Sequence, residues 1–207
     1  MMLKILGRKN SSNVQKVLWC CAELGLDFKR EDVGGQFGKN REPEYLALNP
    51  NGLIPTVIDD DFVLWESNTI IRYLAAKYGD ETFYPADTQT RANGERWMDW
   101  QLSVVAPTIW PVFSGLIRTP PEERDHTAIA NARDKLADTM KILDNALGRT
   151  DFVAGSSLSV GDIPVGIMTY RWFTLDIERE GMPNLERWHD RLTRRPGFQE
   201  HVMVGLS

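Results

Sequence analysis

The pattern of apolar residues changes near residues 84–87 (Tyr-Pro-Ala-Asp). Before this segment, short apolar runs of strand length alternate with polar turns and short helical patterns. After it, apolar residues recur at helical spacing over long stretches. A chain of 207 residues is long enough for two small domains. We therefore predict an α/β domain over residues 1–81 and an all-helical domain over residues 87–207.

The first part of the chain reads as strand, polar turn and helix, followed by a second strand. Residues 3–6 form the first apolar run, and a helical pattern then ends at Gly25. Residues 26–33 read as the second strand, and a short helical segment follows after a glycine-rich connection. Residues 55–58 and 62–65 flank a polar turn of hairpin length, and a helix ending at Gly79 comes next.

Four long helical patterns occupy the second part, at residues 91–116, 122–147, 160–175 and 184–193. The segment 159–162 (Ser-Val-Gly-Asp) resembles an N-terminal capping box with Asp in place of Glu. We therefore interpret Asp162 as a residue that stabilises the start of a helix and not as a site residue.

Charge and cysteine content restrict the cellular context. The formal net charge of −5 and the pI near 5.3 oppose binding to nucleic acid. The only cysteines are the neighbours Cys20 and Cys21, which are poorly placed for a structural disulfide and fit a reducing compartment. We find neither a signal peptide nor a run of about 18 apolar residues. We expect a cytoplasmic protein without a membrane partner or a metal site.

Three motifs in the first domain place polar groups where an element begins. Residues 10–13 (Asn-Ser-Ser-Asn) precede the first helix, where Ser and Asn commonly act as caps. Residues 49–55 (Asn-Pro-Asn-Gly-Leu-Ile-Pro) put a proline at the start of a strand, and they also read as an ordinary turn. Residues 65–68 (Trp-Glu-Ser-Asn) offer a carboxylate followed by a helix N-terminus.

This order of elements, together with the three motifs, resembles the glutathione transferase family, in its serine-type theta, zeta and delta branches and related bacterial enzymes. The resemblance covers essentially the whole chain. It implies a thioredoxin-like βαβαββα domain with a mixed four-stranded sheet, followed by a helical bundle. It also implies a homodimer that uses glutathione as cosubstrate to attack a small electrophilic substrate, with no tightly bound cofactor.

The resemblance assigns the catalytic hydroxyl to Ser11. A free thiol has a pKa of about 8.5, and the thiolate is the reactive form. A serine hydroxyl is too weak an acid to act as a base at neutral pH, so its role would be to donate a hydrogen bond to the sulfur anion. Asn13 is expected to donate a second hydrogen bond, and Ser12 is the close rival of Ser11.

The resemblance also assigns binding roles. It implies a cis Ile54–Pro55 bond and pairing of the Ile54 backbone with the cysteinyl part of glutathione. Glu66 would pair with the γ-glutamyl ammonium, and Ser67 would bind the carboxylate. Lys39 and Arg41 are candidates for binding the glycyl carboxylate. Delta-type enzymes have a histidine where this chain has Gly52, and Asn51 is the candidate to replace its contact. The candidates for the electrophile pocket are Trp110, Phe113 and Arg118.

Two alternative functions remain open at this point. Some bacterial relatives reduce disulfides or peroxides with two glutathione molecules, and the chain has no C-x-x-C motif for a protein-thiol mechanism. A second alternative is a non-catalytic binding protein that keeps the fold, because function depends on the site and not on the fold.

Overall fold

The computed structural model describes residues 3–206. The first domain contains, in chain order, β1 (Leu3–Leu6), α1 (Ser12–Glu23), β2 (Phe28–Glu31), α2 (Pro43–Leu48), β3 (Thr56–Asp59), β4 (Phe62–Trp65) and α3 (Ser67–Tyr78). A short 3₁₀ turn, Gly35–Phe37, lies between β2 and α2. The predicted βαβαββα order is therefore confirmed, although β2 is shorter than the run at residues 26–33.

The four strands form one sheet in the order β2-β1-β3-β4. β1 pairs with β2 in parallel, whereas β3 pairs antiparallel with both β1 and β4. Ile5 of β1 lies opposite Val57 of β3, and both side chains are fully buried beneath the helices. The mixed four-stranded sheet of a thioredoxin-like domain is thus present as predicted.

The second domain is entirely helical within the described residues. It contains α4 (Thr88–Trp100), α5 (Ala106–Phe113), α6 (His126–Leu147), α7 (Asp162–Thr174), α8 (Pro183–Thr193) and α9 (Pro196–His201). α6 begins at His126 and not at residue 122, because Asp125 caps it by accepting a hydrogen bond from the Ala128 N–H at 2.9 Å. Residues 121–123 form a separate 3₁₀ turn.

The predicted helix at residues 91–116 corresponds to one unbroken helical run, Thr88–Arg118. Two segments of this run are π-helical instead of α-helical. The turns, Gln101–Val105 and Ser114–Arg118, flank α5, which contains Pro107 and Pro111. Proline has no backbone N–H and cannot donate the usual hydrogen bond to the carbonyl four residues earlier. Hydropathy periodicity does not register such local changes in hydrogen bonding.

The same run is long and apolar enough, by length and composition alone, to cross a membrane. One 18-residue window has a mean hydropathy of 1.3, and 28% of that window is buried. The run contains polar residues such as Gln101, Ser103 and Thr108, so it is not an uninterrupted stretch of about 18 apolar residues. α4 and α5 pack against α7 and α6 within the helical domain, and core helices of globular domains meet the same criterion.

The two domains meet along α1, which is buried on all sides from Val14 to Cys21. The Trp19 ring contacts Phe198 of α9 edge-on, with ring centroids 4.8 Å apart. A Cβ atom at Gly166 of α7 would lie 3.0 Å from the Trp19 ring, so a larger residue there would require the ring to shift. These contacts fix the orientation of α1 relative to the helical domain. The domain limits at residues 81 and 87 stay predictions.

Asp162 is fully buried at the first position of α7, directly after the N-cap residue Gly161. Its carboxylate accepts hydrogen bonds from the Val153 N–H, the Ser159 N–H and hydroxyl, and the Trp188 indole N–H, at 2.9 to 3.1 Å. Burial raises the pKa of Asp162 to about 6, and the four donors oppose that rise. Asp162 therefore serves the fold, as the capping pattern indicated.

Candidate active site

Ser11 occupies the N-cap position of α1, but its side chain makes no capping hydrogen bond. Its backbone is extended (φ −78°, ψ 125°), and its carbonyl accepts the Gln15 N–H at 2.8 Å. The first turn of α1 has no acidic residue to neutralise the positive end of the helix dipole. The Ser11 hydroxyl is half-buried next to unsatisfied backbone N–H groups, a suitable arrangement for binding an anion.

The structure brings the first and third motifs into contact. The Ser67 hydroxyl donates a hydrogen bond to Asn13 Oδ1 at 3.3 Å, although the two residues are 54 positions apart. Ser67 is buried at the first position of α3, and Glu66 is the exposed N-cap residue. The starts of α1 and α3 therefore lie side by side and direct their N–H groups towards one region.

Glu66 adopts a left-handed backbone conformation (φ 72°, ψ 105°) and makes no capping hydrogen bond. A non-glycine residue with positive φ is uncommon and costs roughly 1–3 kcal/mol. Such strain is often found at binding sites, where the surrounding fold holds a side chain in an unfavourable but useful position. The carboxylate of Glu66 is thus placed at the mouth of the same region.

Lys16 is a residue of this region that the sequence did not suggest. Its ammonium is completely buried, donates to Gln101 Oε1 at 2.8 Å and lies 3.4 Å from the Ser67 hydroxyl oxygen. Burial lowers the pKa of Lys16 to about 7, with nearby Glu66 raising it and Arg171 lowering it further. Because Gln101 belongs to the helical domain, Lys16 connects that domain to the start of α3.

Side chains of α2 hold the segment that precedes β3. The Tyr45 hydroxyl donates to the Leu53 carbonyl at 2.6 Å, and Asn49 Nδ2 donates to the same oxygen at 2.8 Å. The Ile54–Pro55 peptide bond is cis. The N–H and C=O groups of Ile54 make no hydrogen bond with any backbone group of residues 3–206, so both are available to a ligand.

The remaining binding candidates lie on the exposed loop between β2 and β3. Lys39 is exposed and has a positive φ of 66°. Arg41 Nη1 donates to the Asn51 carbonyl at 3.4 Å, and the Asn51 side chain donates to Asn49 Oδ1. Within the described chain, no hydrogen bond or ion pair joins Lys39, Arg41 or Asn51 to Ser11. The binding roles assigned to these three residues therefore stay predictions.

The three electrophile-pocket candidates lie in the Thr88–Arg118 run. Trp110 is 54% exposed, whereas Phe113 is buried and stands 6.0 Å from the Trp110 ring, centroid to centroid. The Arg118 guanidinium lies 5.7 Å from the Phe113 ring centroid, and that of Arg171 lies at 4.4 Å. Arg171, which the sequence analysis did not consider, therefore shares the Phe113 ring with Arg118.

Neither cysteine is suited to act as a nucleophile. Both thiols are free and buried, and burial raises the pKa of Cys20 above its usual value and that of Cys21 to about 12. A thiol that stays protonated at neutral pH does not attack a substrate. Residues 3–206 also contain no cluster of three or more His, Cys, Asp or Glu side chains that is able to hold a metal ion.

A cavity of about 530 Å³ opens at the C-terminal end of α1, lined among others by Glu23, Tyr78, Asp80 and Arg195. Ser11 lies at the other end of α1, which is about 18 Å long at 1.5 Å per residue. None of the predicted site residues lines this cavity. It is therefore separate from the region formed by the starts of α1 and α3.

Comparison with known proteins defines the class of this chain. A family model described as the N-terminal domain of glutathione S-transferase matches residues 10–77, and one described as its C-terminal domain matches residues 105–196. The chain is 39% identical over 208 residues to glutathione S-transferase GstB of Escherichia coli K12, with complete coverage of both proteins. It is 33% identical over 184 residues to glutathione S-transferase D7 of Drosophila melanogaster, covering 86% of this chain and 79% of that protein.

Solved structures agree with this classification. The theta class glutathione S-transferase from the citrus canker pathogen Xanthomonas axonopodis pv. citri, with glutathione bound, superimposes with a TM-score of 0.95 at 46% identity over 99% of each chain. An apo form gives a TM-score of 0.88 at 40% identity over the full length of both chains. The chain therefore belongs to the glutathione S-transferase family. The predicted fold class and enzyme class are both confirmed.

Proposed function

We propose that this glutathione S-transferase uses the Ser11 hydroxyl to hold the sulfur of glutathione as a thiolate, which then attacks a small electrophile. The observation that carries the proposal is that Ser11 is the N-cap residue of α1 but its side chain makes no capping hydrogen bond. The Ser11 hydroxyl is therefore available to a ligand. Glutathione acts as a cosubstrate, as its presence in the related Xanthomonas structure supports.

The thiolate forms when the thiol proton leaves for solvent and the Ser11 O–H donates a hydrogen bond to the sulfur anion. Lowering the thiol pKa by about two units requires roughly 2.7 kcal/mol of preferential thiolate stabilisation. One charge-assisted hydrogen bond together with a helix N-terminus can supply this amount. Asn13 is adjacent in sequence and is the second donor that we propose. Ser12 is the alternative donor to the sulfur, and its variant tests the assignment to Ser11.

The γ-glutamyl end of glutathione would bind where α1 and α3 begin side by side. Glu66 would pair with the ammonium, and the Ser67 hydroxyl and the α3 N-terminus would bind the carboxylate. The buried ammonium of Lys16, 3.4 Å from the Ser67 hydroxyl oxygen, adds positive charge next to that carboxylate. The Ile54 N–H and C=O would pair with the cysteinyl part, and Lys39, Arg41 and Asn51 would lie near the glycyl end.

Replacing Glu66 or Ser67 by alanine is expected to weaken glutathione binding by about 10- to 150-fold each, since each change removes a charge-assisted contact worth about 1.5–3 kcal/mol. Calorimetric titration with glutathione measures the dissociation constants. Asp61→Ala in the turn between β3 and β4 is the matched control and should bind normally. Wild-type affinity in both site variants would refute the assigned γ-glutamyl contacts.

Binding of S-methylglutathione at pH 8 is expected to be accompanied by proton uptake approaching one proton per protein. Lys16 has a pKa of about 7 in the free protein, so it is mostly neutral at pH 8, and a carboxylate bound nearby raises its pKa. The methylated thioether has no thiol proton to release and therefore isolates this effect. Calorimetry in buffers of different ionisation enthalpy counts the protons.

The Lys16→Met variant keeps the side-chain volume and should bind S-methylglutathione more weakly, without proton uptake. Glu66, Arg171 and Gln101 surround Lys16 and are unchanged in this variant. If the wild-type protein takes up no proton at pH 8, Lys16 does not sense the ligand carboxylate.

We further propose a cytoplasmic homodimer with domain limits at residues 81 and 87, active on small electrophiles in detoxification. Two free buried thiols suit a reducing compartment. The edge strand β4 exposes Phe62 and Trp65, which supports a self-association surface in that region.

Incubation of the enzyme and glutathione with haloacids, epoxides, disulfides and hydroperoxides tests the proposed chemistry. Turnover of disulfides or hydroperoxides alone would replace conjugation by a two-glutathione reduction.

A further inference from the structure

Three arginines from both domains lie close to one another near the Phe113 ring, which is a candidate for the electrophile pocket. Arg8 lies in the turn between β1 and α1, Arg118 ends the Thr88–Arg118 run, and Arg171 belongs to α7. The guanidinium carbons of Arg171 and Arg118 lie 4.4 and 5.7 Å from the centroid of the buried Phe113 ring. We call Arg8, Arg118 and Arg171 the arginine cluster.

Arg171 is the buried member of this cluster. Only 9% of its surface is exposed, and its Nε atom has no hydrogen-bond partner within residues 3–206. In the same part of the chain, no Asp or Glu carboxylate forms an ion pair with Arg171 or Arg8. A buried donor without a partner and a buried charge without a counter-ion are both costly. A bound anion would relieve both costs.

The electrostatic effects within the cluster all have the same sign. Burial, Arg118 and Arg8, in that order, lower the pKa of Arg171 to about 10. Burial and then Arg118 lower the pKa of Arg8. The three positive charges therefore repel one another across the domain boundary, and no carboxylate is among the causes that act on the pKa of Arg8 or Arg171.

The cluster lies next to the proposed position of the sulfur. The Arg8 carbonyl accepts the Ser11 N–H at 3.2 Å, so Arg8 belongs to the same turn as the proposed catalytic hydroxyl. Arg171 is close enough to the start of α1 to lower the pKa of Lys16. Phe113 provides an apolar surface next to the two guanidinium groups of the helical domain.

We infer that the electrophile pocket takes an anionic electrophile, a small molecule that carries a carboxylate close to the carbon attacked. This inference rests on the proposed function. For a halogenated acid, the glutathione sulfur forms a bond to carbon, the carbon–halogen bond breaks, and the halide leaves with the bonding electron pair. A thiolate and an anionic substrate repel each other in water, and the arginine cluster offsets this repulsion.

The glycyl carboxylate of glutathione presents the same chemistry as the substrate carboxylate. We favour the electrophile because Arg118, Arg171 and Phe113 all belong to the helical domain, whereas the glutathione contacts proposed above lie in the first domain. The two sources differ in their consequences. If the cluster binds the glycyl carboxylate, its removal raises the KM for glutathione and affects acidic and neutral electrophiles equally.

The test compares chloroacetate with chloroacetamide, which differ in charge but share the leaving group. The measured quantity is kcat/KM for each electrophile relative to its uncatalysed reaction with glutathione at the same pH. Wild-type enzyme is expected to favour chloroacetate. Arg171→Met and Arg118→Gln should each lower that preference about tenfold, the size of one lost charge-assisted contact. The KM for glutathione in both variants should stay within about twofold of the wild-type value, a change much smaller than the loss of one charge-assisted contact would cause.

Arg118 is exposed, so Arg118→Gln tests the inference even if Arg171→Met fails to fold. Arg194→Gln, on the exposed end of α8, is the matched control and should keep the wild-type preference. Equal enhancement of both electrophiles by the wild-type enzyme would overturn the anionic-substrate inference alone, as would a raised KM for glutathione with an unchanged preference. Failure of the wild-type enzyme to enhance either reaction, or to bind glutathione, would overturn the proposed function as well.

Discussion

Ser11→Ala is expected to lower conjugation activity about 10- to 30-fold at pH 7, because the bound thiol would return towards its free pKa of about 8.5 and mostly lose its thiolate form. The loss should shrink above pH 9, where a free thiol ionises unaided. The pH–rate profile of kcat should therefore shift upward by one to two units of pH, as the change in thiol pKa does. Glutathione affinity should change little, since the contacts at Glu66 and Ser67 remain.

Two neighbouring variants make this result specific. Ser11→Thr keeps a hydroxyl and should retain part of the activity, whereas Ser12→Ala should behave like the wild-type enzyme. Unchanged activity in Ser11→Ala would move the role to Ser12 or Asn13. A fall in activity without a shift of the pH–rate profile would contradict hydrogen bonding to the sulfur as the role of Ser11.

Asp162→Asn is expected to lower the free energy of unfolding by about 3 kcal/mol or more, because a buried charged partner is removed from a satisfied network. The asparagine amide would place two donors opposite N–H and O–H groups that now donate to the carboxylate. Urea-induced unfolding at pH 7, where Asp162 is ionised in the native protein, measures the change.

Asp190→Asn is the matched control for this variant. Asp190 is exposed on α8 and forms an ion pair with the exposed Arg194, so its loss should cost less than about 1 kcal/mol. Folded Asp162→Asn protein should bind glutathione with wild-type affinity. A stability change as small as that of the control would show that the buried carboxylate does not support the start of α7.

Local sequence patterns predicted the fold because each element of the first domain is marked by its own boundary residues. The hairpin turn before Phe62 and the stop at Gly79 stand where the structure has them, whereas α1 begins at Ser12, inside the polar turn predicted for residues 10–13. The interruptions of the Thr88–Arg118 run were not predicted, because π turns depend on backbone hydrogen bonding and not on hydropathy. α9 was missed because six residues carry too little periodicity.

Lys16 and Arg171 show what local patterns do not reveal about the site. α1 is buried on all sides from Val14 to Cys21, so no polar face exists for Lys16 to occupy. This burial results from the helical domain, which contacts α1 through α7 and α9. Arg171 likewise lies within an apolar helix. A charged residue among buried neighbours can indicate a functional site, but helical periodicity alone does not distinguish such a residue from a solvent-exposed arginine.

The most direct test of the central claim is the ionisation of glutathione bound to the enzyme. Difference ultraviolet absorbance of the thiolate, recorded against pH for wild-type enzyme and Ser11→Ala, measures the pKa of the bound thiol. We predict a pKa about two units below that of free glutathione in the wild-type complex and a value about one to two units higher in the variant. Equal titration of the bound and free thiol in the wild-type enzyme would contradict thiolate stabilisation by Ser11.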